Sequence, residues 1–140
     1  MGVDEELSLE QEIFENSTVV AVVGLSPNPD RPSNRVANYL KGNGYTIVAV
    51  NPETETVFDE KSYPDLSSIP VKVDVVDIFR RPDTVLPVVQ EAVKIGAKTV
   101  WMQEGVINEE AAEYAREAGL QVVMNKCMLK EHQRLYNSGW

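Results

Sequence analysis

Apolar residues in this chain fall into two alternating patterns. Short unbroken apolar runs, rich in β-branched residues, recur at positions 19–23, 46–50, 73–79, 99–102 and 120–124. Runs of that length and make-up predict strands buried on both faces, the habit of parallel sheets. Between them the apolar residues shift to helical spacing. Val36, Tyr39 and Leu40 make one stripe, Val85, Val88, Val89, Ala92 and Val93 a second, and Ala111, Ala112, Ala115 and Ala118 a third of small residues. Leu9, Ile13 and Phe14 predict a short helix before the first strand, and 128–136 a closing helix.

Punctuation agrees with the pattern. Gly42 and Gly44 stop the first long helix, Gly96 the second and Gly119 the third. Pro87 cannot sit deep in a helix, so the helix of that stripe is expected to begin close to it. Asn108 is a suitable N-cap, with Glu109 and Glu110 at the positive helix end. The segment 53–70 reads as a polar connection with a small strand around Val57 and Phe58. Asp74 and Asp77 inside the third run suggest a strand near a sheet edge or at a functional end. Strand and helix thus alternate with no linker and no repeat. The expectation is a single Rossmann-like α/β domain: an open parallel sheet of about five strands with helices on both faces.

One stretch carries chemistry. In VVAVVGLSPNPDRPSN (19–34) a buried strand ends at Gly24, a polar loop follows, and a helix begins near Ser33, the expected N-cap. Glycine there allows a sharp turn and a close ligand. Strand, glycine turn and helix start together present N–H groups and a positive dipole end to a phosphate. A nicotinamide dinucleotide fits poorly. Its fingerprint wants G-x-G-x-x-G, but Ser26 and Pro29 stand where the second and third glycines belong. The second strand ends in Asn51-Pro52, with no acid for ribose. No G-K-[ST] of a nucleotide-triphosphate loop is present.

Charge and composition narrow the classes. At 140 residues and 43% hydrophobic content, the chain suits one soluble domain. A net charge of −9 argues against binding nucleic acid by phosphate neutralisation. Asp4, Glu5, Glu6, Glu10, Glu12 and Glu15 supply most of it and precede the first basic residue, Arg31, so local arginines remain available to a polyanion. The acidic start has neither basic nor apolar region of a secretory signal, and no apolar run suits a membrane span. A single cysteine fits a reducing compartment, hence a cytoplasmic protein.

The ordered set G-L-S-P-N-P-D-R-P-S-N, G-Y-x-I-V-x-V-N-P, D-I-F-R-R, G-A-K-x-V-W-M-Q-E-G-V and N-K-C resembles the stand-alone CoA-binding protein family. That family is similar to the nucleotide-binding first domain of the succinyl-CoA synthetase alpha subunit. The resemblance divides the chain into an acidic arm with a short helix (1–17) and a CoA-binding domain (18–140). It implies that Gly24, Leu25 and Ser26 cradle the CoA diphosphate, completed by Arg31, Ser33 and Asn34. It further implies that Asn51 and Pro52 line the adenosine side, that Phe79 and Arg80 face the nucleotide or pantetheine, and that Glu104 and Gly105 match the synthetase's Glu-Gly. Glu53-Thr54-Glu55 stands where the synthetase domain has a lysine. The synthetase's phosphorylated histidine lies in a second domain not found here, and His132 matches nothing.

No Ser–His–Asp set, H-E-x-x-H or nucleophile elbow appears, and His132 has no metal-ligand spacing around it. Cys127 reads either as a small buried hydrophobe or as a thiol activated by Lys126 and the following helix, facing the pantetheine end. Trp101 is expected in the core and Trp140 at a loose terminus. The expectation is non-catalytic binding of CoA or an acyl-CoA, protein partner unknown. Two alternatives remain open: a subunit of a CoA-dependent ligase or transferase working with a partner, and a redox sensor on a nicotinamide ligand.

Overall fold

The computed structural model describes residues 7–136; Asp4, Glu5, Glu6 and Trp140 lie outside the described residues. Helix α1 (Leu9–Glu15) precedes β1 (Val19–Val23), α2 (Pro32–Gly42) and β2 (Thr46–Val50). Then come β3 (Thr56–Val57), β4 (Glu60–Tyr63), β5 (Val75–Ile78), α3 (Val85–Lys94), β6 (Thr99–Met102), α4 (Glu109–Glu117), β7 (Gln121–Met124) and α5 (Met128–Tyr136). The sheet order is β3-β4-β2-β1-β5-β6-β7, all parallel except the β3–β4 pair. The chain therefore builds outward from β1 through β2, returns across β1, and builds the other way from β5. A crevice opens at the carboxyl ends of β1 and β5, where the order reverses.

Alternation along the strands sends side chains to two separate cores. Ala21, Val23, Val76, Ile78, Val100 and Met102 pack under α3 and α4. Val20, Val22, Val75 and Trp101 pack under α1, α2 and α5. The alanines of α4 let that helix lie close to the sheet: Ala111, Ala112 and Ala115 are wholly buried. Each buried valine contributes roughly 1.5–3 kcal/mol. On the other face, His132 lies edge-on to Phe14 and within 2.7 Å of the Tyr39 hydroxyl through Nδ1, so it is a core residue joining α1, α2 and α5. Burial lowers its pKa. Trp101 is fully buried and donates through Nε1 to the Lys126 carbonyl at 2.8 Å.

Several expectations need correction. The sheet has seven strands, because 53–70 contains a hairpin that adds β4 in parallel to β2. Phe58 is not in a strand: with Asp59 it forms the two-residue turn, at φ of 56° and 63°. Both central residues of such a turn must be left-handed to match strand twist. The third strand is shorter than 73–79 and lies in the sheet interior between β1 and β6, not at an edge. Ser33 is not the N-cap. Helix α2 starts at Pro32, whose missing N–H costs nothing at the first position, and Arg31 occupies the cap without a side-chain bond. Helix α3 begins at Val85 after a 3₁₀ turn (Pro82–Thr84), which leaves Pro87 in its first turn, near the expected start.

Asp74 explains why a charge survives beside a buried strand. Its Oδ2 accepts from the Thr18 and Val19 N–H groups at 2.9 and 3.0 Å, and Lys98 lies 3.5 Å from Oδ1. Burial raises its pKa, but the two N–H donors and Lys98 outweigh it and hold the carboxyl below the ordinary value. A depressed carboxyl stabilises the fold above its unfolded pKa and loses that contribution as pH falls through the folded value. Asp74→Ala is expected to cost about 1–3 kcal/mol at pH 7. The difference from wild type in urea melts should shrink at pH 3; an equal difference at both pH values would contradict the clamp.

Candidate functional site

The turn after β1 is forced by backbone packing. Gly24 has φ +88°, and a Cβ built there would stand 2.2 Å from the Phe79 carbonyl oxygen. The chain thus passes against the end of β5 with no room for a side chain. Gly24 N–H donates to the Val50 carbonyl at 2.8 Å, and Phe79 N–H to that of Val23 at 2.9 Å. The three strand ends are drawn together at one point.

The loop that follows is stapled from two sides. Ser33 Oγ accepts from Ser26 N–H at 3.0 Å, and Asn34 Nδ2 donates to the Ser26 carbonyl at 2.8 Å. Asn51 Nδ2 donates to the Leu25 carbonyl at 3.0 Å. Ser26 Oγ accepts from Asn28 N–H at 3.1 Å. Among the described residues, the N–H groups of Leu25 and Ser33 reach no acceptor. Leu25 is wholly buried with its side chain in the α2 core, so its unpaired N–H is unusual.

An open cleft of about 350 Å³ lies over this turn. Gly24, Ser26, Arg31 and Ser33 form one wall; Phe79, Arg80 and Arg81 form another; Gln103, Glu104 and Val106 close the third. A neighbouring depression of about 480 Å³ continues past Phe79, Arg80 and Arg81 to Thr84 and Val88. Arg81 pairs with Asp83 at 3.5 Å, and Glu104 with Lys130 at 3.0 Å. Arg31 and Arg80 have no carboxylate within ion-pair distance among the described residues. Two unpaired guanidinium groups in so acidic a chain leave an electropositive cleft.

The sequence-predicted residues do not all meet there. Gly24, Ser26, Arg31, Ser33, Phe79, Arg80 and Glu104 share the cleft. Leu25 and Asn34 lie beneath it. Asn51 and Pro52 line a separate depression of about 310 Å³ with Thr54, Glu55 and Lys61. Gly105 N–H donates to Asn125 Oδ1 at 2.8 Å, tying the turn after β6 to the end of β7. Cys127 is half-buried before α5 and packs against the α2-side core, outside the cleft lining.

Sequence reasoning missed Gln103. It is 3% exposed, lines the cleft, and donates through Nε2 to Asp77 Oδ1 at 2.7 Å. Asp77 is completely buried, and its Oδ2 has no partner. Burial pushes its carboxyl up to about 7, against the opposing effect of the Gln103 bond. The only local signal was a polar residue at the carboxyl end of a buried strand; its partner is 26 positions away.

Comparisons with known proteins converge. A family model described as a CoA binding domain matches residues 18–133. Uncharacterized protein YneT of Bacillus subtilis is 36% identical over 122 residues, covering 87% of this chain and 90% of that one. A solved structure of a hypothetical protein from Pyrococcus horikoshii is 42% identical with a TM-score of 0.89 over 96% of each chain. The ADP-forming acetate–CoA ligase I of Archaeoglobus fulgidus is 27% identical over 120 residues, which span 79% of this chain but 18% of the ligase.

Two outcomes test this geometry. Gly24→Ala is expected to cost at least about 2 kcal/mol in urea melts, since left-handed strain adds to the clash with Phe79; a change below about 0.5 kcal/mol would contradict the contact. For Asp77, the folded state keeps a proton between pH 4 and 7 that the unfolded chain releases, so its contribution to stability falls as pH rises through that window. Asp77→Asn should therefore match wild type near pH 4 and exceed it by roughly 1–4 kcal/mol at pH 8. A variant equally destabilised at both would refute the assignment.

Proposed function

The chain belongs to the CoA-binding domain family, whose model spans residues 18–133, and from that membership we propose that it binds coenzyme A or an acyl-CoA without transforming it. The ligand diphosphate lies in the cleft over Gly24. The observation that carries this reading is the pairing of unfilled donors with unfilled charge. Among the described residues, Ser33 at the cleft wall offers an N–H group without an acceptor, and Arg31 and Arg80 offer guanidinium groups without carboxylates. A diphosphate supplies what both lack: several acceptor oxygens and negative charge at a helix N-terminus. Ser33, Asn34 and Asn51 act indirectly, holding the loop in shape through its own backbone.

The remainder of the ligand runs past Phe79 and Arg80 on one side and toward Asn51 and Pro52 on the other. The adenosine end meets Glu55 and Lys61 there, with the Lys61 ammonium 5.2 Å from the Tyr63 ring. Among the described residues, none lining the cleft is arranged for acid–base or nucleophilic chemistry: the one histidine is packed among Phe14, Tyr39 and Tyr136, outside the cleft lining. The kinship with the archaeal ligase favours a second reading, in which the chain serves as the CoA-binding part of an assembly whose chemistry resides in a partner.

Calorimetric titration with CoA separates these readings from no binding at all. Wild type is expected to bind one CoA per chain. Arg31→Ala should bind about 5- to 150-fold more weakly, the loss of 1–3 kcal/mol in a charge-assisted bond. Arg116→Ala on α4 should bind like wild type. Equal affinity in wild type and Arg31→Ala would remove Arg31 from the site, and recovery of a stable partner with CoA-dependent ligase activity would support the second reading.

A further inference from the structure

Behind the cleft wall stands a carboxyl that touches no solvent, and a single amide separates it from the ligand space. Asp77 lies on the central strand β5, flanked in register by Val22 of β1 and Trp101 of β6. Its Oδ1 is held by Gln103 Nε2, and its Oδ2 is the one buried side-chain oxygen or nitrogen among the described residues without a partner. Gln103 Oε1 makes no hydrogen bond, yet it is not among the buried unpartnered atoms; it keeps access to the cleft that the residue lines.

This geometry has two states. With Asp77 ionised, the amide donates inward and shows its carbonyl oxygen to the cleft. With Asp77 protonated, the carboxyl O–H needs an acceptor, which the amide supplies once turned over, so that Nε2 then points outward as a donor. An anion in the cleft repels the carbonyl and accepts from the amine, and so favours the second state. We infer that Gln103 is a ligand-contacting residue whose amide turns over with the protonation of Asp77, so that an anion in the cleft is bound together with one proton from solvent. The inference rests on the cleft holding an anion, as proposed above, but needs no particular one.

The surroundings leave Asp77 free to respond. Of the titratable groups packed on that face, Tyr39 and His132 bond each other, Tyr45 donates to the Phe14 carbonyl, Tyr136 donates to Glu15, Glu10 pairs with Lys126, Arg134 pairs with Glu131, and Cys127 packs against the same core. At the cleft stand Arg31, Arg80 and Glu104. Burial and the Gln103 bond alone set its proton affinity, which lies near neutrality in the free protein.

The test is calorimetry at pH 7 in buffers of different ionisation enthalpy, with CoA and separately with inorganic diphosphate, on wild type, Asp77→Asn and Gln103→Leu. Asp77→Asn keeps the amide contact and removes the titration; subtracting it cancels protons exchanged by the ligand itself. Wild type should take up roughly half a proton more than either variant, because a group with a pKa about 7 is half-protonated at the start. Its affinity should fall about five-fold more than that of Asp77→Asn between pH 7 and 8. Equal proton uptake in all three proteins, or no binding of either ligand, would overturn the inference. Diphosphate bound with proton uptake while CoA is refused would leave it standing and remove the CoA reading. CoA bound without the extra proton would do the reverse.

Discussion

At Gly24 the backbone presses against the Phe79 carbonyl so closely that a methyl group cannot enter. Much of the site follows from that contact. It joins the ends of β1 and β5, the two strands between which the sheet reverses its direction of growth. It aims the following loop toward the start of α2, where Ser33 and Asn34 hold it. The crevice that any open α/β sheet leaves at such a reversal thereby acquires a floor made of backbone, with N–H groups to spare. A side chain at this position would push the strand ends apart and dissolve the loop geometry.

Charge then decides what the crevice suits. The chain is strongly acidic, yet among the described residues Arg31 and Arg80 stand at the cleft without carboxylate partners, while the neighbouring Arg81 and Lys130 are each paired with an acid. Isolated surface ion pairs contribute little to stability, so leaving two arginines unpaired costs the fold almost nothing. It leaves their donors available to a polyanion. A buried acid stands behind the same region: among the described residues the Asp77 side chain hydrogen-bonds only to Gln103, and Gln103 lines the cleft.

Local pattern made much of this legible and non-local pairing hid the rest. The strands β1, β2 and β6 and the stripes of α2, α3 and α4 were readable because buried parallel strands and amphipathic helices write different periods into a sequence. Gly24 was readable because a glycine between a valine run and a helix start has few other uses. The hairpin of β3 and β4 was not fully readable, since Phe58-Asp59 lacks the Asn-Gly signature of its turn type. Ser33 was misjudged because capping is the commoner use of a serine at a helix start, and its actual acceptor role reaches back seven residues to the loop. Asp74 and Asp77 suggested a strand near an edge or a functional end because ionised acids avoid interiors; in the interior burial raises the proton affinity of Asp77, and only the fold brings Gln103 to it.

A crystal structure of the protein grown with CoA tests the account at its centre. The diphosphate is expected over Gly24, with oxygens about 3 Å from the Ser33 N–H and from the Arg31 or Arg80 guanidinium. A diphosphate bound elsewhere, with the glycine turn closed over by its own side chains, would contradict it.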